Sequence, residues 1–83
     1  MKLYQELRNY IDNQKFKLTY SDNYLNIINY NKIIILEHDR IDISVFNKII
    51  KIKGKNLKLM RLLNQEILIT GLINCIELME YHE

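Results

Sequence analysis

A single cysteine, Cys75, leaves no internal disulfide framework to brace the domain. Proline, tryptophan and alanine are missing altogether, and only two glycines occur, Gly54 and Gly71. They lie too far apart in sequence to form the glycine-rich loop that cradles a phosphate. No stretch approaches the ~18 consecutive apolar residues of a membrane-spanning helix. The first residues, Met1 to Arg8, carry charges throughout, unlike a secretory leader. A soluble, unsecreted, cytoplasmic protein is expected.

Groups that carry chemistry are equally scarce. The histidines are His38 and His82, with no HExxH, no CxxC and no paired histidine spacing. His38 lies in the polar segment Glu37-His38-Asp39-Arg40 and reads as a solvated turn; His82 falls in a short tail, 81–83, expected to be disordered. Ser21 and Ser44 lack a GxSxG elbow, so neither reads as a nucleophile. Cys75, within Leu72-Ile73-Asn74-Cys75-Ile76, reads as a buried, inert thiol. The chain is therefore expected not to be an enzyme, with no catalytic residue, cofactor or metal site.

Aliphatic patterning is what the sequence has in abundance. Its 83 residues suit one domain, which would bury roughly 60% of the surface its unfolded chain exposes. So small a core invites self-association, and a homo-oligomer is expected. Leu3, Leu7, Tyr10 and Ile11 fall at i, i+4, i+7 and i+8, so residues 1–14 read as a short amphipathic helix. From Phe16 the period changes to two. Phe16, Leu18 and Tyr20 alternate with Lys15, Lys17 and Thr19, and Ser21-Asp22-Asn23 supplies turn chemistry before Tyr24 to Ile28.

The unit then recurs roughly every 16 to 17 residues. Ile33 to Leu36 leads through Glu37–Arg40 into Ile41 to Val45. Ile49 to Lys53 leads through Gly54-Lys55-Asn56 into Leu57 to Met60, and Glu66 to Thr70 bends at Gly71 and runs on to Leu78. Connections this short demand antiparallel pairing. Residues 15–80 are thus expected to form a mainly β domain, an antiparallel meander or small sandwich or roll of about seven or eight short strands. A rudimentary solenoid is the other reading of the repeat. The triplet Ile33-Ile34-Ile35 breaks the alternation and predicts a strand covered on both faces.

The formal net charge is only +2, but Lys48, Lys51, Lys53, Lys55, Lys58 and Arg61 fall in one run with no acidic residue among them. Alternation projects Lys51, Lys53 and Lys55 from the face opposite Ile50 and Ile52. Three readings follow: a solvated face that discourages edge pairing, a basic patch for an acidic partner or an anionic membrane surface, and a nucleic-acid-binding or regulatory module. The third fits least well, because Tyr4, Tyr10, Tyr20, Tyr24 and Tyr30 precede the run and do not interleave with it as stacking platforms. These tyrosines read as half-buried packing or interface residues.

Three strings resemble one family in order. Tyr24 to Glu37, YLNIINYNKIIILE, is similar to the first hairpin of the YabP/YqfC sporulation proteins, closest to YqfC. Ile49 to Leu59, IIKIKGKNLKL, resembles their central L-x-I-x-G-x-x-L-x-I segment, and Ile67 to Leu78, ILITGLINCIEL, their closing I-x-I-x-G-x-I segment. The resemblance implies a non-enzymatic adaptor or assembly factor in endospore formation. It would act in the mother cell, at the forespore membrane or at the spore coat, beside a membrane protein of the YqfD type. The family has no catalytic residues to carry over.

Overall fold

The computed structural model describes residues 15–21 and 24–80. The expected amino-terminal helix and the tail at 81–83 lie outside the described residues. Six strands make one antiparallel sheet: β1 (Lys17–Ser21), β2 (Tyr24–Ile28), β3 (Tyr30–Glu37), β4 (Arg40–Val45), β5 (Lys48–Leu63) and β6 (Glu66–Glu80). Among the described residues the β reading holds, and the strand count there is six. Gly54-Lys55-Asn56 does not turn the chain back; it is a bulged stretch inside β5, a single strand of 16 residues, and Gly71 lies inside β6, of 15 residues. The segments 49–53 and 57–60 therefore do not pair with each other. Both belong to β5, which pairs along its length with β6 around the tight turn at Asn64 and Gln65.

That long hairpin must bend. Sixteen extended residues would span roughly 50 Å, whereas the longest dimension of the molecule is 28 Å. Register shifts at Lys53/Gly54, Lys55/Lys58 and Leu59/Arg61 mark where β5 curls, and bulges are the usual means by which a strand turns a corner. The bend defines two halves. In the tip half, Lys58 to Leu63 and Glu66 to Thr70 continue into β2 and then β1. In the base half, Lys48 to Lys53 and Cys75 to Glu80 continue on the other side into β4 and then β3.

The sheet order β1-β2-β6-β5-β4-β3 is not a meander, and it forces curvature. Three strands separate β2 from β3, roughly 19 Å across a flat sheet at the usual strand spacing. Yet Asn29 alone joins them, and one residue bridges at most roughly 7 Å between its neighbours' Cα atoms. The sheet therefore rolls until the start of β3 comes round to the end of β2. Asn29 makes the corner in the left-handed region, φ 67°, and its amide donates to the Gln65 carbonyl at 2.6 Å. Asparagine tolerates this conformation better than β-branched or bulky residues.

The two halves close on one core. Leu18, Leu25, Ile27, Ile67 and Ile69 come from the tip half, Ile41, Ile43, Val45, Ile50, Ile52 and Ile76 from the base half, and Leu57 and Ile73 from the bend, all in a single buried cluster with Phe16. The sequence alternation is visible in it, since Ile41, Ile43 and Val45 stand in register with Ile52, Ile50 and Lys48. The strand covered on both faces is β4, not β3: every residue from Ile41 to Val45 is buried. A bulge between Ile33 and Ile35 absorbs the extra apolar residue of the triplet, and Ile34 is left exposed on an edge strand. Cys75 is half-buried, not buried, because the core face is filled by Ile73 and Ile76 while Cys75 stands opposite Lys53 on the outer face.

Candidate interaction surface

The bend separates the six basic residues of the run. Lys48 stands on the core face beside Val45, and its ammonium is buried and bonded to the Glu80 carboxylate at 2.7 Å. Lys51 and Lys53 lie on the outer face of the base half. Register places Lys51 between Asp42 and Glu77, and Lys53 between Arg40 and Cys75. Lys55 is exposed at the bend, opposite Leu72. Lys58 and Arg61 belong to the outer face of the tip half, opposite Thr70 and Leu68, which the bend turns away from Lys51 and Lys53. The run therefore does not form one continuous basic patch.

Charges in the base half are largely balanced. Arg40 donates twice to Asp42, Nε to Oδ1 at 3.3 Å and Nη2 to Oδ2 at 3.0 Å, a fork that suits guanidinium and carboxylate geometry. The hydrogen bond to Asp42, followed by its charge, raises the Arg40 pKa above the ordinary arginine value. A raised cationic pKa contributes stability that is complete below the ordinary value and is lost only as pH rises through the folded value. Arginine's ordinary value is already far above neutrality, so the pair stays closed throughout the working range of pH. Among the described residues, every buried polar side-chain atom has a hydrogen-bond partner, and no group of three His, Cys, Asp or Glu could hold a metal ion.

A depression of about 440 Å³ opens at the bend, lined by Glu37, Asp39, Arg40, Lys53, Gly54 and Asn74. Two carboxylates, two cations and a carboxamide share it, and His38 is exposed beside it. Its walls exist because the β3–β4 turn docks on the bulge of β5: Gly54 N donates to Asp39 O at 3.1 Å and Leu57 N to His38 O at 2.7 Å. The site is shallow and electrically mixed, with no nucleophile set against a base.

The same contacts produce a second feature that alternation alone did not reveal. The Asn29 amide on Gln65 O and the Tyr30 hydroxyl on Leu63 O, at 3.4 Å, hold the start of β3 against the end of β5. The Leu57–His38 bond holds the end of β3 against the middle of β5. The free edges of β3 and of the second half of β5 are thus tied at their ends, and no backbone ladder joins the two strands between the ties. Bulges between Tyr30 and Lys32, between Ile33 and Ile35 and between Leu59 and Arg61 spoil the spacing such a ladder requires.

Apolar side chains reach solvent on both strands. Ile34 and Leu36 on β3 are 44% and 53% exposed, and Met60 and Leu62 on β5 are 59% and 56% exposed. Beneath them Tyr30, Ile33 and Leu59 pack against the core. Exposed apolar side chains are ordinary on a small protein, and they become an association surface only where they lie together. Lys32 stands on the outer face of β3, and Lys58 and Arg61 on that of β5. None of the three makes an ion pair among the described residues. Of the basic run, then, Lys58 and Arg61 lie on the outer face of the tip half, and nothing in the local pattern reveals that the ends of β3 are tied to β5.

Comparison with known proteins adds no relative: no family model matches the chain, and no curated protein or solved structure is significantly similar to it.

Proposed function

We propose that the chain is a non-catalytic adaptor or assembly factor of the YabP/YqfC sporulation type, working by association of its surface with another protein. The observation that carries the associative part is the exposure of Ile34 and Leu36 on β3 and of Met60 and Leu62 on β5. Burying roughly half of each of four such side chains contributes on the order of 1 kcal/mol apiece, enough to anchor a transient complex once its rim is matched. The sporulation part is supported by the three resembling strings. They fall on β2–β3, β5 and β6, and the glycine of each of the last two stands at the bend of the hairpin. A rolled sheet of six strands with exposed apolar side chains and a lysine-bearing outer face suits a component that assembles as a homo-oligomer beside a membrane protein.

Deleting the gene in a spore-forming host and counting heat-resistant spores tests the reading. A fall of at least tenfold is expected, restored by the wild-type gene and not by a Leu62→Glu copy. Unchanged counts, with ordinary expression in cells that never sporulate, would refute it. Binding of the purified chain to DNA or RNA at low salt, lost when Lys51, Lys53 and Lys55 become glutamate, would favour the nucleic-acid reading instead.

A further inference from the structure

We propose that the free edge of β6 from Ile76 to Glu80 pairs antiparallel with the same residues of a second copy, joining two chains through one continuous sheet. This rests on the homo-oligomeric reading above and names its contact. In the tip half β6 lies between β5 and β2, and its pairing with β2 ends where Tyr24 meets Thr70. Beyond the bend, among the described residues, β5 alone pairs with β6. The other side of Cys75 to Glu80 therefore offers its backbone groups to an added strand.

The remaining open edges carry features that discourage such pairing. β1 is 5 residues long and bears Lys17, and β3 is interrupted at Tyr30/Lys32 and at Ile33/Ile35. In the tip half β5 has a register shift at Leu59/Arg61, beside Lys58. Cys75 to Glu80 has none of these devices. Its register on β5 runs one to one from Lys53 to Lys48, and it contains no lysine, arginine or proline.

The sequence of this edge suits a copy of itself. Identical strands pair antiparallel about a two-fold axis. With the axis at Leu78, each Glu77 faces the other copy's Met79, each Glu80 faces Ile76, and the two Leu78 side chains meet. An axis at Glu77, or a parallel arrangement, sets carboxylates opposite each other, which is destabilising. An axis at Ile76 draws the irregularity at Asn74 into the ladder. Each edge glutamate is also matched within its own copy: Lys48 bonds Glu80 at 2.7 Å, and Lys51 stands in register with Glu77.

Sedimentation equilibrium of the full chain is expected to show a concentration-dependent dimer. A nitroxide on Cys75, the sole cysteine, reports its geometry without any substitution. In the ladder centred on Leu78 the two labelled residues stand roughly 20 Å apart. Leu78→Lys sets two ammonium groups face to face and is expected to weaken the dimer at least tenfold, whereas Leu36→Lys, on exposed β3, is expected to leave it unchanged. Leu78 packs against the core, so if that variant fails to fold the label distance in the unsubstituted chain decides. A monomer at every concentration overturns the proposal, as does a dimer whose labels lie farther apart than the 28 Å length of one copy. Loss of the dimer with Leu36→Lys and its survival with Leu78→Lys also overturns it. Spore counts in the deletion strain separate the two readings. An edge dimer with normal counts keeps the contact and rejects the sporulation role, whereas a monomer with lost spores rejects the contact and keeps that role.

Discussion

Replacing Gly71 with alanine is expected to lower the free energy of unfolding by about 4 kcal/mol and the thermal midpoint by about 20 °C. Two independent causes meet at this residue. Its φ of 129° lies where residues with a side chain are strained, a penalty of about 1 to 3 kcal/mol. A Cβ there would also stand 2.6 Å from the Asn56 carbonyl oxygen and 3.0 Å from the Leu57 Cα, backbone atoms that cannot rotate away. Moving the facing strand adds a further penalty of similar size. Gly54 stands on the other strand of the same bend, where a Cβ would strike the Leu72 carbonyl oxygen. Gly54→Ala is expected to destabilise by the clash alone. Asn56→Gly, at a residue held in the left-handed region with φ 55°, is expected to change stability by less than about 1 kcal/mol. Chemical denaturation of the four proteins measures all of this. Near-wild-type stability of Gly71→Ala would mean that the strands do not cross so closely there.

A chain of this length has a total stability of roughly 4 to 12 kcal/mol, so the glycine change alone consumes a large part of it. The second large effect is expected at the core. Ile43 is fully buried and stands in register between Ile33 and Ile50 in the strand covered on both faces. Truncating it to alanine removes apolar contact and leaves a cavity that rigid neighbouring strands cannot fill, and a loss of about 3 kcal/mol is expected. Ile34→Ala removes the same atoms from an exposed bulge on an edge strand and is expected to change stability by less than about 1 kcal/mol. The order of the two denaturation midpoints decides whether the isoleucine triplet or β4 is central. Equal losses would restore the reading in which Ile33 to Ile35 are covered on both faces.

These contrasts show what local sequence could and could not specify. Alternation at Leu25/Ile27, Ile41/Ile43/Val45, Ile50/Ile52 and Ile67/Ile69 is a consequence of one-sided burial, and it marked strand and core face without any knowledge of neighbours. The hairpins β1–β2 and β3–β4 were equally legible, because short polar links join the segments that pair. Gly54-Lys55-Asn56 was misleading for a physical reason. Glycine followed by asparagine serves a turn and a bulge alike, since both need freedom at φ, and only the strand across the way decides between them. Here that strand is β6, contributed by residues some twenty positions farther along.

The candidate surface was legible to the same limited degree. A run of lysines announces cations but not their directions, and the bend sends Lys51 and Lys53 to one face and Lys58 and Arg61 to another. Lys48 was hidden among them because alternation places it on the core face, where Glu80, more than thirty residues away, receives its charge. Leu36, Met60 and Leu62 look like any strand residues in sequence. They are exposed in a fold where a single residue, Asn29, links β2 to β3 and ties the start of β3 to the turn after β5.

The rolled sheet depends on β5 and β6 forming one long hairpin that folds over at its two glycines. Cross-strand nuclear Overhauser contacts in the labelled protein test this most directly. Contacts between Ile52 and Ile76 and between Leu59 and Ile69 are expected, each joining β5 to β6 on one side of the bend. Contacts between Ile52 and Leu57, with none from either to β6, would mean that the chain turns back at Gly54, and the rolled sheet would not exist.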